Sequence, residues 1–425
     1  MTRNRRDEQI AAVRITPVAM KDPPLLNSNG MHEPFALRAI IECETGDGLV
    51  GLGETYGELK HLERLRAAAP QLVGLDPFSI HELHRRVAVA LGEEPEGAEL
   101  TTSHWSRDVE ETFAAFEVAC FDLQGQRSGR PVSDLLGGAV REAVPYSAYL
   151  FYRYGEHPID PGYGPDDWGE ALDPAGIVAQ ASRMVERYGF TALKLKGGVF
   201  PPDEEIEAAI ALAEAFPNHK VRIDPNAAWG VETSIRVAKA LEGHLEYLED
   251  PTPTIAGMAE VAKVAAMPLA TNMCVVELAH VPPAVAADAV QIILSDHHFW
   301  GGLSGSRRLA GLCETFSIGL SMHSNSHFGI SLAAMTHLAA ATPNLNYACD
   351  THTPWLAGED VIKERLRFVD GAIAVPSGPG LGVSLDRDAL GALAEQYVSC
   401  SVRRRDDTGY RQRFDPSYVH KRPRW

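Results

Sequence analysis

The chain has 425 residues, 45% of them hydrophobic, and a formal net charge of -18. This length exceeds one ordinary domain and suits a closed α/β barrel with a smaller second domain. The negative charge argues against a nucleic-acid-binding surface, so an anionic substrate would need local cations. No hydrophobic run approaches the length of a membrane span, so we expect neither nucleic acid nor a membrane as a partner.

The N-terminus and the cysteines indicate a cytoplasmic protein. The first apolar stretch is interrupted by Arg14 and followed by Lys21 and Asp22, which makes a poor signal peptide. The six cysteines are scattered and form no CxxC pair. We therefore predict reduced thiols that mostly fill the core, as in a cytoplasmic protein.

Residues 1–138 are predicted to form an α+β domain. Residues 10–20 and 36–53 are rich in β-branched residues, and the second stretch contains the turn TGDG, so antiparallel strands are expected. The connection DPPLLNSNGMHEP is too rich in Pro, Asn and Gly for regular structure and is typical of a functional loop. Helical patterns follow at 58–73, 78–91 and 109–128.

Residues 139–360 are predicted to form a barrel of βα units. Six short apolar runs each end on a polar residue able to do chemistry, and these residues recur roughly every 25 positions, the length of one βα unit. They are Lys196, Asp224, Glu249, Asn272, Asp296 and His323. Parallel strands present their C-terminal ends on one face, so we expect the six side chains to meet there. Asp173 and Asp203 are expected to cap helices.

The segment 361–425 has a weaker pattern. The stretch VPSGPGLGVSLD predicts irregular chain and one edge strand. The last residues are basic and aromatic, a composition that favours an end lying loosely on the surface.

The oxygen-bearing residues Asp224, Glu249 and Asn272 predict a magnesium site. A single acid at a strand end is more often a helix cap or an ion-pair partner, but here three ligands come from successive units. Oxygen ligands without Cys or His select Mg²⁺ over zinc. Two carboxylates and a neutral amide balance the charge of Mg²⁺, so a substrate with two carboxylates would not be repelled.

Two lysines and a histidine are candidate acid/base groups. Lys194 and Lys196 lie two apart on one strand, so their side chains point the same way. They could be solvated, but burial beside each other and near Mg²⁺ would disfavour both ammonium forms and make Lys196 a base. Alone, His323 would more often be structural. Asp296 beside it would fix its tautomer and provide a second acid/base on the opposite face.

Several motifs together resemble a known family. They are AFEVACFDLQGQRSGRPVSDLLGG, KLKGG, DPN, EDP, ATNM, SDHHFWGG, MHSNSHFGISLAAMTHLAAATPN, YACDTHTPW, RRDD and KRP. They resemble the mandelate racemase branch of the enolase superfamily, and within it the glucarate dehydratase family. The resemblance covers nearly the whole chain. It implies an α/β fold: a modified TIM barrel of the enolase type with an N-terminal α+β capping domain, completed by the C-terminal segment.

The resemblance implies a role for each matching residue. Asp224, Glu249 and Asn272 would bind Mg²⁺. The catalytic residues would be Lys196, His323 with its partner Asp296, Lys194 near the metal-bound carboxylate, and Asn226 of DPN. The residues that would contact a diacid are His32, Thr102, Tyr149, Asn325, Asp350, His352 and Arg405. Arg405 implies that the tail folds back over the site. The departures NSNGMH and HSNSH leave the exact sugar open.

The implied reaction is the Mg²⁺-dependent dehydration of D-glucarate and L-idarate to 5-dehydro-4-deoxy-D-glucarate, a hydro-lyase activity. The family also implies an even-numbered homo-oligomer. Two alternatives stay open at this point. One is a related dehydratase or an epimerase of different specificity, since two opposed bases can exchange a proton without loss of water. The other is a nearly inactive paralogue with a binding or assembly role.

Overall fold

The computed structural model describes residues 7–93, 106–160, 166–356 and 358–425. Thr102, one of the predicted diacid contacts, lies outside these residues. Within them, no helix combines the length and the apolar character needed to cross a lipid bilayer.

The N-terminal unit is an antiparallel sheet covered by helices, as predicted. Its strands are β1 (Ile10–Lys21), β4 (Phe35–Thr45) and β5 (Val50–Tyr56), in the order β1-β4-β5. Its helices are α1 (Leu59–Ala68), α2 (Ile80–Ala90), α3 (Arg107–Ser128) and α4 (Val132–Leu135), with a 3₁₀ turn at Ala69–Leu72. The Ser106 side chain caps α3 by accepting from the Val109 amide. One apolar cluster fills the space between this sheet and α1 to α3.

The first connection is more regular than its composition predicts. Residues Leu26–Asn27 and Gly30–Met31 form a two-stranded hairpin, β2 and β3. Gly30 has φ +145°, and a Cβ there would collide with the backbone of Asp407. A glycine therefore lets the C-terminal segment pack directly on this hairpin.

The barrel follows the predicted βα order. In the described part of the chain its strands are β6 (Ala143–Phe151), β7 (Ala192–Lys196), β8 (Lys220–Asp224), β9 (Tyr247–Glu249), β10 (Leu269–Thr271), β11 (Ile292–Ser295), β12 (Gly319–Met322) and β13 (Cys349–Thr351). Neighbours from β6 to β12 are parallel, and β13 pairs with β6 in parallel. The amides of Asn346 and Tyr347 donate to the Leu320 carbonyl of β12, which brings the start of β13 beside β12 and closes the ring.

Helices connect the barrel strands on the outside. They are α5 (Pro174–Tyr188), α6 (Pro202–Ala215), α7 (Val231–Ala240), α8 (Ile255–Ala262), α9 (Val281–Ala286), α10 (Gly302–Thr315) and α11 (Gly329–Ala340). The Asp173 side chain caps α5, as predicted, by accepting from the Gly176 amide. The prediction for Asp203 is wrong, because Asp203 lies inside the first turn of α6 and pairs with Arg236 at the surface.

The C-terminal segment is ordered onto both units. A short hairpin of β14 (Phe368–Val369) and β15 (Ala372–Ala374) pairs in antiparallel with the first residues of β6. Two helices that the weak pattern did not predict follow, α12 (Arg387–Ser399) and α13 (Asp407–Gln412). The Gln396 amide of α12 donates to the Ala19 carbonyl of β1. The expectation of a loosely draped end is therefore wrong, and the segment completes the N-terminal cap, which confirms the predicted fold class.

A buried carboxylate of the cap binds the start of one barrel helix. Glu117 of α3 accepts from the amides of Leu303 and Ser304 at the start of α10. Because amide groups at a helix start attract negative charge, this contact fixes the cap on the barrel. The domain boundaries at 138 and 360 stay a prediction.

Candidate active site

The three proposed metal ligands lie at the ends of neighbouring strands. Asp224 ends β8 and Glu249 ends β9, whereas Asn272 directly follows β10. These strands are consecutive in the barrel. The sequence expectation that they share the C-terminal face is confirmed by the strand order.

Lys196, at the end of β7, is held by two of its neighbours. Its Nζ donates to Asp224 Oδ2 at 2.6 Å and to Asn226 Oδ1 at 3.1 Å. Asn226 adopts a left-handed conformation with φ +56°, and its amide donates to Asp224 Oδ1 at 2.9 Å. Asparagine tolerates this backbone better than most residues. The DPN turn thus orients both the lysine and the carboxylate.

The pKa of Lys194 is shifted in the direction opposite to the one expected from the sequence. Its side chain is fully buried, with Nζ 2.6 Å from Asp350 Oδ2 and 2.7 Å from Glu249 Oε2. Burial lowers the pKa of Lys194, but the carboxylates of Asp350 and Glu249 outweigh it and raise the pKa well above its usual value. The expectation that the ammonium form of Lys194 is disfavoured overall is therefore wrong, because the lysine lies among carboxylates.

Four carboxylates and two ammonium groups lie close together in this part of the barrel. Asp224, Glu249, Asp250 and Asp350 are buried around Lys194 and Lys196. Glu249 Oε2 accepts no hydrogen bond from any described residue, although the ammonium of Lys194 lies near it. Burial, followed by the neighbouring carboxylates, raises the pKa of Glu249 well above its usual range against the pull of Lys194. A buried carboxylate oxygen that accepts no hydrogen bond and lies in an acidic cluster is suited to a divalent cation.

The loop after β10 is held by a carboxylate from the previous strand end. Asp250 accepts from the Thr271 hydroxyl at 2.5 Å and from the Asn272 amide at 2.8 Å. Burial and the nearby Asp224 raise the pKa of Asp250 to about 7. Asp250 was not predicted from sequence, although it belongs to the quoted EDP motif. It supports the backbone that carries the third proposed ligand.

Asp296 and His323 form the predicted pair. Asp296 follows β11, His323 follows β12, and His323 Nδ1 lies 2.9 Å from Asp296 Oδ2. Burial alone would raise the pKa of Asp296, but two neighbouring imidazoles hold it well below its usual range. The aspartate is therefore ionised and can hold the Nδ1 proton of His323, leaving Nε2 to exchange protons.

Lys196 and His323 stand on different sides of the ring. In strand order, β8, β9, β10 and β11 separate their strands on one side and β6 and β13 on the other. The proposed metal ligands come from the intervening strands. A small molecule bound to those ligands would therefore meet a lysine from one side and a histidine from the other.

Two predicted substrate contacts lie under the lysines. The Tyr149 hydroxyl donates to Asp224 Oδ2 at 3.4 Å, and Lys194 Nζ lies 4.8 Å from the Tyr149 ring centroid. Both oxygens of Asp350 are already engaged, one by Lys194 and the other by the Ser147 hydroxyl. Both side chains are buried, so the structure places them as supports of the lysine, and their direct contact with a diacid stays a prediction.

Two of the remaining predicted contacts, His32 and His352, are buried histidines. His32 Nδ1 lies 3.0 Å from Asp22 Oδ2, and the His352 ring packs edge-on against Tyr149 with centroids 4.8 Å apart. Among the described residues, His352 Nδ1 has no hydrogen-bond partner. Burial and the nearby His32 hold the pKa of His352 well below its usual value, so its imidazole is neutral. Such a nitrogen is free to bind a substrate hydroxyl.

Arg405 reaches the site from the C-terminal segment. Its Nε and Nη2 donate to Asp407 at 2.9 and 2.8 Å, and its Nη1 lies 3.4 Å from Asn325 Oδ1. Asp407 also accepts from Asn27 of β2 at 2.7 Å. One edge of the guanidinium is thus used by the protein, and the Nη1 side faces Asn325. The tail folds back as the resemblance implied.

Residues from the cap sheet that sequence reasoning missed contact the residues that follow β11 and β12. Arg38 of β4 and Glu54 of β5 form a buried ion pair at 2.9 Å. The Tyr56 hydroxyl accepts from the Asn325 amide at 3.4 Å, and its ring stacks on Phe299. A charged residue inside the predicted strand region 36–53 was the available signal for Arg38, and Glu54 directly follows that region.

A (β/α) barrel with a cap and with acid/base groups at its strand ends is the architecture of a class of enzymes. Two family models match this chain. Residues 10–137 match the mandelate racemase / muconate lactonizing enzyme N-terminal domain, and residues 176–389 match the enolase C-terminal domain-like family. The chain belongs to the enolase superfamily and is an enzyme of that superfamily. The recognition made from the sequence motifs is confirmed.

Relatives with known names or structures support this membership. The chain is 51% identical over 430 residues to a probable glucarate dehydratase of Streptomyces coelicolor, covering 99% of this chain and 100% of the relative. It is 60% identical to an enolase from Mycobacterium smegmatis crystallised with tartrate, with a TM-score of 0.93 and 98% of both chains covered. An enolase from Thermobispora bispora, crystallised with magnesium and formate, is 59% identical, with a TM-score of 0.93 and 98% and 100% covered.

Proposed function

We propose that this enzyme is a Mg²⁺-dependent hydro-lyase that acts on six-carbon diacid sugars. It would dehydrate both D-glucarate and L-idarate to 5-dehydro-4-deoxy-D-glucarate. The observation that carries the proposal is the position of Lys196 and the Asp296-bound His323 on two sides of an oxygen-ligand set. The relative called a probable glucarate dehydratase supports the same reaction. The six free cysteines support a cytoplasmic location.

The proposed metal set is Asp224, Glu249 and Asn272. An octahedral Mg²⁺ held by three side chains keeps about three positions for substrate and water. When bound, the ion would stabilise negative charge on the substrate carboxylate as the neighbouring carbon loses its proton. The crystallised relative with magnesium supports this choice of ion.

The protein residues would move two protons. Lys196 or His323 takes the proton from the carbon beside the carboxylate, depending on the configuration of that carbon. His323, which has either taken this proton or begins as the imidazolium when Lys196 is the base, then donates from Nε2 to the neighbouring hydroxyl, which leaves as water. Asp296 stabilises the imidazolium between the two events. The enol product tautomerises to the keto form.

Binding of a diacid would use four side chains, those of His32, Asn325, His352 and Arg405. The Nη1 side of Arg405 and the amide of Asn325 would meet the far carboxylate. The neutral His352 would accept from a hydroxyl, and His32 would be held for a similar contact by Asp22. Thr102 and Tyr149 complete the proposed set, and Lys194 would stabilise the metal-bound carboxylate from below. We also propose that the enzyme is a homo-oligomer.

The proposal is tested with Lys196→Ala and His323→Asn. Purified protein is incubated with Mg²⁺ and a panel of aldaric and aldonic acids, and keto product is trapped with semicarbazide. We expect turnover of glucarate by the wild type and loss of turnover in both variants. Full activity of either variant would show that the mechanism is wrong.

An epimerase is the second candidate, because the same two bases on opposite sides could exchange a proton without loss of water. Product composition separates the two reactions: dehydration lowers the product mass by one water, whereas epimerisation leaves the mass unchanged. Isolation of an epimer of equal mass as the main product would favour the epimerase.

A further inference from the structure

Asp296 is shared between two histidines. One carboxylate oxygen, Oδ2, binds His323 Nδ1, and the other, Oδ1, lies 2.8 Å from His298 Nδ1 and accepts from the His298 amide at 2.9 Å. Both Asp296 and His298 are buried. The proposed reaction uses His323, but it gives no role to His298.

The proton of His298 can be placed from its neighbour Arg38. The Nη2 atom of Arg38 lies 3.0 Å from His298 Nε2, and the Ser331 hydroxyl, which can also donate, lies 2.9 Å from the same nitrogen. A guanidinium donates and never accepts, so His298 Nε2 must be the acceptor. The imidazole proton then lies on Nδ1 and is donated to Asp296. His298 is neutral in this arrangement and acts as a relay of hydrogen bonds, not as a second cation beside the aspartate.

Arg38 is itself fixed by the cap sheet. Its Nε donates to Glu54 Oε1 at 2.9 Å, and its guanidinium lies 4.6 Å from the Tyr56 ring centroid. Glu54 also accepts from the amides of Phe328 and Ser331, each at 2.8 Å, at the start of α11. The exposure of Arg38 and Glu54 is 1% each. The pair therefore joins β4 and β5 to the barrel directly behind the Asp296–His323 pair.

The same arrangement argues against a metal at Asp296, His297 and His298, whose ligand atoms lie within 4.8 Å of one another. The nitrogen of His298 that does not face Asp296 already lies against a guanidinium, which would repel a cation. Hydrogen bonding therefore explains this cluster better than metal binding does.

We propose that Arg38 and His298 are positioning residues through which the cap sheet holds Asp296 in the orientation that keeps the His323 proton on Nδ1. A neutral His298 occupies Oδ1 as a donor, so Oδ2 is directed to His323. Loss of this donor leaves Oδ1 with only the backbone amide of residue 298, so the buried carboxylate can turn toward other donors. His323 would then lose its single tautomer, and Nε2 would no longer be always free to exchange a proton.

The test uses His298, because substitution of Arg38 would leave Glu54 buried without its partner. His298→Asn keeps an amide donor near the position of Nδ1, whereas His298→Leu removes it. The matched control is His337→Asn, since His337 is a buried histidine of α11 that bonds the Ser133 amide and the Leu381 carbonyl, away from Asp296. In ¹⁵N-histidine-labelled protein, nitrogen shifts report which imidazole nitrogen carries the proton, and comparison with His323→Asn assigns the His323 signals.

We expect the wild type and His298→Asn to show one His323 tautomer with the proton on Nδ1, and His298→Leu to show a mixture. The His337→Asn control should lower Tm and leave the His323 signals unchanged. Wild-type His323 signals in His298→Leu would overturn the proposal, as would a wild-type His298 protonated on Nε2. This readout needs no substrate, so failure of the proposed function would not affect it.

The effect of the His298 variants on kcat and KM can be measured only with a substrate, so this second test rests on the proposed function. With the substrate that the wild type turns over, His298→Leu should lower kcat about 10-fold or more while KM changes little, and His298→Asn should restore most of the loss. Equal kcat in the wild type and His298→Leu, with an active wild type, would contradict the inference alone. An inactive wild type would contradict the proposed function alone.

Discussion

Lys196 Nζ and Asp224 Oδ2 lie 2.6 Å apart, so the proposed base donates a hydrogen bond to a carboxylate that is also a proposed metal ligand. Burial raises the pKa of Asp224, but Lys196 and Lys194 outweigh it and lower the pKa to about 2. The carboxylate is therefore ionised at neutral pH and is available to a cation. Metal binding and the orientation of the lysine must be coupled through this side chain.

The first prediction concerns this shared ligand. Asp224→Asn should lower the affinity for Mg²⁺ at least about 10-fold, because even supporting partners of metal ligands have effects of that size. Titration calorimetry of the purified protein with Mg²⁺ measures the change. The control is Glu246→Gln, since Glu246 pairs with Arg222 beside the beginning of β9, at the opposite end of the strands. Equal affinity in Asp224→Asn and the wild type would remove Asp224 from the metal site.

The second prediction concerns Ser28, which connects the C-terminal segment with the lysine. Its hydroxyl accepts from Asn226 at 3.1 Å and from Arg422 at 3.2 Å. Ser28→Ala should lower kcat by about 3- to 10-fold, the value of one lost hydrogen bond, because Asn226 would hold Lys196 less firmly. Ser417→Ala is the control, since Ser417 is exposed and its hydroxyl donates to Asp415, away from Asn226. A kcat that is unchanged in both variants would contradict the connection.

The third prediction concerns selection of a diacid. Arg405→Lys should raise KM for a diacid sugar about 10-fold, with a smaller effect on a monoacid, because lysine cannot reproduce a planar two-point contact. The neighbouring Arg404 is 81% exposed and pairs with Asp406, so Arg404→Lys is a matched control that should behave like the wild type. The prediction fails if Arg405→Lys changes KM for diacid and monoacid equally.

The fourth prediction concerns the pH dependence of stability at the cap–barrel contact. Burial raises the pKa of Glu117 from 4.5 to about 7. The folded carboxyl therefore binds its proton more tightly than the unfolded one. The destabilisation from burying its charge is complete above about pH 7 and disappears toward pH 4.5.

Glu117→Gln is neutral at every pH and lacks this dependence. Between about pH 8 and pH 5.5 the wild type should gain about 2 kcal/mol of stability relative to the variant. Thermal unfolding of both proteins at the two pH values measures the change as a difference in Tm. A Tm difference that is the same at both values would show that Glu117 does not titrate in this range.

The sequence predicts the barrel and its strand ends well, because each βα unit repeats the same physical pattern. Strand-end residues such as Glu249 and His323 were found from periodicity and chemistry, and the strand order confirms that they share one face. The C-terminal helix α12 was missed, although Leu390, Leu393 and Tyr397 recur at helical spacing, because its packing partner, β1, is distant in sequence. Local pattern carries no information on such a contact.

The charge interactions of the site could not be predicted from the sequence and became clear only from the structure. The sequence places Lys194 beside Lys196 but does not show that Asp350, from the last barrel strand, lies 2.6 Å from its Nζ. That carboxylate helps to reverse the expected direction of the pKa shift. The contact of Arg38 with His298 is similarly invisible, since the cap and the barrel meet only in three dimensions.

The central claim is that this enzyme removes water from a diacid sugar. The most direct measurement is mass spectrometry of the product formed from D-glucarate with purified protein and Mg²⁺, with D-gluconate as the monoacid control. We predict a keto product lighter than glucarate by one water, formed only with Mg²⁺ and not from gluconate. A product of unchanged mass, or no product from glucarate when Mg²⁺ is bound, would contradict the claim.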